Sequence, residues 1–85
     1  MKVTIYKDEE EWLTRDYDLT NCSIDELENS LIDHCEKAGA DPKKAAVGIV
    51  RNTYSSDADY LIKGANTDMS MRDVAMELLY FAGRK

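Results

Sequence analysis

The sequence has 85 residues, with 17 acidic residues against 11 lysines and arginines, so its formal net charge is -6 at pH 7. This length predicts one small domain, residues 1–85, without room for a second module. The acidity disfavours direct binding of nucleic acid, because phosphates would be repelled. No segment has the length of an apolar membrane span, and the first residues lack a signal peptide's apolar run. We therefore expect a cytoplasmic protein without membrane contact.

The first third of the chain has the pattern of a β-hairpin. Apolar and polar residues alternate from Val3 to Lys7, which predicts a short strand. A run of four acids, Asp8 to Glu11, follows as a solvated connection. Alternation resumes from Trp12 to Leu19 and predicts the partner strand, although Glu9 to Arg15 also satisfies the pattern of a short helix.

A helix-start pattern occurs twice, at Ser23 and again at Ser70. Each serine hydroxyl can cap a first helical turn, and an acid follows three residues later. Apolar residues at helical spacing come next, so helices are predicted from Ile24 to Ala38 and from Met71 to Ala82.

The second half of the chain repeats the order of the first. Ala46 to Tyr54 reads as a buried strand, Ser55 to Asp59 as a turn, and Tyr60 to Ala65 as a returning strand. The predicted fold is therefore α+β in ββα-ββα order. Its four-stranded, mostly antiparallel sheet carries both helices on one face and leaves the other face uncovered.

The cysteines and the single histidine indicate no disulfide, metal site or catalytic site. Cys22 and Cys35 bracket the first predicted helix and lie roughly 20 Å apart, beyond the ~7 Å limit for a disulfide. The same separation rules out a zinc site that joins Cys22 to His34. The four glycines are isolated and form no phosphate-binding loop. We predict no cofactor and no enzymatic activity.

The acidic residues are concentrated in one part of the chain. Between Asp8 and Asp41 there are twelve acids against two cations, a local charge of about -10. Five fall on the first predicted helix, at roughly one per 3.6 Å, close to the ~3.4 Å phosphate spacing of a DNA strand. We therefore predict an inhibitor or adaptor that binds a basic partner protein. The residues assigned to this surface are Glu26, Asp33, Glu36, Asp8, Glu9, Glu10 and Glu11.

The overall character is similar to that of small phage-encoded proteins that block host defence nucleases. The resemblance lies in size, acidity and the lack of a catalytic motif, and it implies a viral protein that mimics nucleic acid. Acidic helix faces are also common where they only keep a protein in solution, and this alternative stays open.

Aromatic residues supply a second predicted surface. Tyr6, Trp12 and Tyr54 should point away from the helices, with Tyr60 or Leu61 as possible neighbours. Exposed aromatic clusters on a sheet often contact a partner. The alternative function is therefore a homodimer that binds or sequesters a small molecule on this face.

Overall fold

The computed structural model describes residues 1–51 and 58–83. Its four strands form one sheet in the order β2-β1-β3-β4, and every neighbouring pair is antiparallel. The predicted α+β class and ββα-ββα order are confirmed. The elements are β1 (Lys2–Tyr6), β2 (Trp12–Asp16), α1 (Ile24–Ala38), β3 (Ala46–Val50), β4 (Tyr60–Lys63) and α2 (Met71–Phe81).

The strands are shorter than the alternation predicted. The stretch from Trp12 forms β2, so the alternative short helix over Glu9 to Arg15 is wrong. The pairing of β2 with β1 ends at Asp16, and one further hydrogen bond follows, from the Tyr17 backbone N–H to the Met1 carbonyl at 2.7 Å. Leu19 then leaves the sheet and joins the core. The predicted strand to Tyr54 ends at Val50, and Tyr54 itself lies outside the described residues.

Both predicted helix starts are capping boxes. The Ser23 hydroxyl accepts from the Glu26 backbone N–H, and the Glu26 carboxylate accepts from the Ser23 N–H in return. Ser70 and Asp73 repeat this exchange at the start of α2. Each box satisfies two N–H groups that have no partner within the helix. The boundaries therefore follow from local chemistry, and α2 ends one residue before the prediction.

The core lies between the helices and one face of the sheet. The strands contribute side chains that are almost completely buried, namely Val3, Ile5, Val47 and Ile49. The helices contribute Leu27, Leu31, Val74, Ala75 and Leu78. Cys35 also lies in the core, with its Sγ 3.7 Å from the Sδ of Met71. No disulfide joins Cys35 to Cys22.

A β-bulge between β3 and β4 buries a lysine. Val47 pairs with Lys63 and Gly48 pairs with Leu61, so Ile62 is an extra residue. Regular pairing would place Ile62 opposite Val47 and send Lys63 to the other face. Instead Lys63 is 1% exposed, and its ammonium donates to the carbonyls of Ala45 at 2.9 Å and Lys43 at 3.3 Å. The ammonium therefore ties β4 to the segment before β3.

The sheet face opposite the helices is partly covered, which corrects the prediction of an uncovered face. Ala58 lies over Gly48, and its backbone N–H donates to the Tyr6 hydroxyl at 3.0 Å. Thr4, on the same face, is completely buried and shares a 2.8 Å hydrogen bond with the Thr14 hydroxyl. The covering backbone arises from the β3–β4 connection, which sequence alternation does not place.

The helices of the described residues are α1 and α2, and neither is long and apolar enough to cross a membrane.

Candidate protein-interaction site

An aromatic pair marks one end of the sheet. Tyr6 ends β1 and Trp12 begins β2, and the two residues are register partners. Their ring centroids lie 6.0 Å apart at an interplanar angle of 46°. Tyr6 is half-buried beneath its hydrogen bond from Ala58, whereas Trp12 is 40% exposed. The indole of Trp12 is therefore partly exposed to solvent and packs on one side against the Tyr6 ring.

Two neighbours of this pair were weighed from the sequence. Leu61 pairs with Gly48, lies on the same face as Tyr6, and is 55% exposed. Tyr60 instead packs against Phe81 of α2, with ring centroids 5.2 Å apart. Leu61 therefore shares the exposed sheet face with Tyr6 but lies on β4, three strands from Trp12, and Tyr60 belongs to the packing of α2.

The four acids predicted as a second patch form the turn between Tyr6 and Trp12. The Asp8 carboxylate accepts from the backbone N–H groups of Glu10 and Glu11, at 2.8 Å each. Glu11 also approaches the Lys7 ammonium at 3.5 Å. Glu9 and Glu10 are exposed and make no ion pair with any residue that the structure describes. The turn is therefore ordered by Asp8 and presents the charge of Glu9 and Glu10 outward.

Most acids of α1 are occupied within the molecule. Asp33 pairs with Arg15 of β2 at 2.9 Å. Arg72 of α2 lies 2.7 Å from Asp25 and 3.3 Å from Glu28. These ion pairs connect α1 to β2 and to α2. They also neutralise part of the row of acids that was compared above with the phosphates of DNA.

The two remaining predicted acids of α1 lie at opposite ends of the helix. Glu26 belongs to the capping box, and Glu36 lies ten residues further, or about 15 Å along the axis. The end that carries Glu36 is close to the hairpin, because a cleft of about 420 Å³ lies between Trp12 and Lys37. Glu36 therefore lies at the hairpin end of α1, next to the Lys37 and Ala38 that line this cleft, whereas Glu26 lies at the far end.

A buried histidine holds the hairpin on α1. His34 is completely buried, with its Nε2 2.7 Å from the Leu13 carbonyl and its Nδ1 2.8 Å from the Tyr17 hydroxyl. A carbonyl only accepts, so Nε2 carries the proton and Nδ1 accepts from the hydroxyl. Burial lowers the pKa of His34 and raises the pKa of Tyr17 to about 12. Both groups are therefore neutral near pH 7.

Sequence reasoning missed this role of His34. It placed the residue at the edge of the apolar stripe of α1 but named no partner. The only available signal was a histidine beside that stripe together with a tyrosine at the end of a strand. Their contact spans seventeen residues, and periodicity within one element cannot predict such a separation.

Among residues 1–51 and 58–83, no group of three or more histidine, cysteine, aspartate or glutamate side chains could hold a metal ion. The sequence matches no protein-family model, and it has no significant match among the curated proteins or the solved structures. The function is therefore inferred from the geometry of the described residues.

Proposed function

We propose that this protein is an inhibitor or adaptor that binds a basic surface of a partner protein through the hairpin end of its sheet. The observation that carries the proposal is the continuity of the two predicted surfaces. Trp12 and Tyr6 are register partners whose rings are in tilted contact, and the acidic turn connects them directly.

This arrangement has the composition of a protein-binding site. Exposed tryptophan and tyrosine are the side chains that most often dominate binding energy, and charged residues around them increase specificity and association rate. Here Trp12 supplies the apolar contact, while Glu9 and Glu10 supply the charge. The partner should present basic residues around an apolar contact point.

The nucleic-acid-mimic version of the proposal has less support than the hairpin version. A mimic requires a row of uncompensated charge, whereas Asp25, Glu28 and Asp33 each lie beside an arginine. Of the three acids assigned to α1, Glu36 is the one that we retain for the partner surface, because it lies at the hairpin end. We place the activity in the cytoplasm, which cell fractionation with an antibody would test.

The test is affinity capture from a lysate of the native host with tagged protein, at about 50 mM and about 500 mM salt. We expect a partner that is retained at low salt and lost at high salt. Reversing Glu9 and Glu10 to lysine should weaken its binding roughly tenfold or more, because each exposed charge pair contributes about 0.2–1 kcal/mol and reversal adds repulsion.

Matched variants control for net charge and for the loss of an exposed ring. Asp68→Lys with Glu77→Lys makes the same charge change away from the hairpin, and both residues are exposed. Tyr80→Ala removes a ring that is 74% exposed on α2, for comparison with Trp12→Ala. If the control pairs weaken capture as much as the hairpin variants do, the hairpin is not the binding site.

A second candidate function is the homodimer that holds a small molecule. It is favoured by a cleft of about 340 Å³ beside Tyr6, Ala46 and Ala65, on the face that also exposes Leu61. Light scattering coupled to chromatography separates the two candidates. A dimer that persists at high salt supports the second, whereas a monomer at all protein concentrations contradicts it.

A further inference from the structure

The outer edge of β2 presents backbone hydrogen-bonding groups away from the sheet. Among residues 1–51 and 58–83, β2 is an edge strand that pairs with β1 alone. The Lys7 N–H donates to the Glu11 carbonyl, and the Tyr17 N–H donates to the Met1 carbonyl. In an antiparallel pair, hydrogen-bonded positions alternate with outward-facing ones. The N–H and C=O groups of the intervening even-numbered positions, Trp12, Thr14 and Asp16, therefore point outward.

The outer edge of β2 has fewer of the usual protections against strand pairing than β4. One is present, because Arg15 points toward α1, where it pairs with Asp33. Natural edges are commonly blocked by a bulge, a proline or a lysine. The other edge, β4, has the bulge at Ile62. β2 instead pairs with β1 in unbroken register and contains no proline. No hydrogen bond joins the outward groups of Trp12, Thr14 or Asp16 to other described residues.

Open space lies beside both ends of this strand. The cleft between Trp12 and Lys37 has a volume of about 420 Å³. An open region of about 730 Å³ lies at the other end, beside Asp16 and Asp18. An added strand therefore has room for its side chains at both ends of β2.

The charges around β2 select the kind of segment that can pair with it. Acids lie before the strand, at Glu9 and Glu10, and after it, at Asp18. A second copy paired antiparallel about Thr14 would place Glu10 opposite Asp18 twice, and like charges directly opposite each other are destabilising. Lys37 lines the cleft at Trp12, but Glu10 and Glu11 line it as well, so a segment with basic residues at both ends meets net negative charge there and at Asp18.

We propose that the edge of β2 binds an extended, basic segment of a partner protein, which adds to the sheet as a fifth strand. Backbone hydrogen bonds from Thr14 hold the segment, and the flanking acids contact its basic residues. This inference rests on the proposed function for its partner and shares Glu9 and Glu10 with it, whereas the backbone contacts at Thr14 belong to the edge alone.

The probe is a fluorescein-labelled synthetic peptide that alternates threonine and valine between paired lysines. A second peptide with glutamates in place of the lysines is the control. Fluorescence anisotropy should show binding of the basic peptide that weakens as salt rises, and no binding of the acidic one. Lack of binding by the basic peptide at millimolar concentration, or equal binding of both peptides, overturns the proposal.

Two variants at Thr14 isolate the backbone contribution. Thr14→Pro removes the outward N–H without touching the ladder to β1, a position where a strand tolerates proline. Thr14→Val keeps the N–H but loses the same hydroxyl contact with Thr4. We expect the proline variant to bind the basic peptide roughly tenfold more weakly than the valine variant. Equal affinity of the two variants, each verified as folded by circular dichroism, overturns the proposal.

Hydrogen exchange on the unmodified protein gives a second test that does not depend on folding of a variant. The amides of Trp12 and Thr14 should exchange rapidly in the free protein, whereas those of Leu13 and Arg15 should be protected. The basic peptide should slow the exchange at Thr14. Protection of Thr14 before peptide is added, or no change afterwards, contradicts the proposal.

Failure here is distinguishable from failure of the proposed function. If the hairpin charge reversal abolishes capture of the native partner but Thr14→Pro and Thr14→Val capture it equally, the proposed function stands and the edge proposal fails. If charge reversal at Glu9 and Glu10 leaves capture of the native partner unchanged but Thr14→Pro captures it more weakly than Thr14→Val, the hairpin tip is not the binding site and the backbone pairing at the edge stands.

Discussion

Substitution of Gly48 by alanine tests the packing of the chain across the sheet face opposite the helices. A Cβ built on Gly48 would lie less than 3.0 Å from the Ala58 Cβ and 3.2 Å from the Tyr60 carbonyl oxygen. Carbon atoms in contact are normally about 3.5–4.0 Å apart. Since β3 is paired on both sides, relief requires movement of the Ala58 backbone, which also supports the Tyr6 hydroxyl.

The expected loss follows from two opposing effects. Overpacking of a close contact costs about 1–3 kcal/mol. Replacement of glycine by alanine also reduces the entropy of the unfolded chain, which returns about 0.4–1 kcal/mol. Gly48→Ala should therefore lower the free energy of unfolding by about 1–2 kcal/mol. For a domain of this size the corresponding decrease in Tm is about 5–15 °C.

Urea denaturation followed by circular dichroism measures this loss, and a double-mutant cycle assigns it. Ala58→Gly removes the opposing methyl group. The loss of unfolding free energy in the double variant should therefore be smaller than the sum of the two single-variant losses, by about 1 kcal/mol or more. Gly64→Ala is the control, because its nearest neighbour is the rotatable Thr67 side chain at 3.1 Å. Additive losses, or full stability of Gly48→Ala, would refute the contact with Ala58.

Two further predictions concern pH and helix capping. Burial holds the pKa of His34 in the folded protein below the ~6.5 of the unfolded chain, so the unfolded chain binds the proton more tightly. The contribution of neutral His34 to the unfolding free energy should be fully present above about pH 6.5 and should be lost as the pH decreases through the folded pKa. The urea midpoint of His34→Gln should not show this part of the pH dependence. Ser23→Ala and Ser70→Ala should each cost about 1 kcal/mol of unfolding free energy in the same assay, whereas Ser30→Ala, in mid-helix, should cost nothing. An unchanged slope, or equal losses at all three serines, would contradict these expectations.

The two candidate surfaces were predictable to different degrees. Alternation around the acidic run places Tyr6 and Trp12 on one face whenever the hairpin forms, so their proximity follows from the local sequence. The ion pairs that the α1 acids form do not follow from the local sequence. Asp33 pairs with Arg15, eighteen positions away, and Asp25 pairs with Arg72, forty-seven positions away. Helical periodicity contains no information on such distant partners, so it predicts only that these acids lie on the exposed face of α1.

The sequence by itself determined the elements whose causes lie within a few residues. The capping boxes at Ser23 and Ser70 set both helix starts, and the alternation from Val3 selects which side chains enter the core. The order of these elements was sufficient to predict the α+β fold.

Only the tertiary structure decided which groups meet across the sheet and between layers. The bulge at Ile62 turns Lys63 into the interior, where carbonyls distant in sequence accept its ammonium protons. His34 can be buried in its neutral form because both of its hydrogen-bond partners come from the hairpin. Leu13 lies in β2, and Tyr17 directly follows β2. These outcomes depend on strand register and helix docking, which arise from the summed packing of the whole core and leave no periodic trace along the chain.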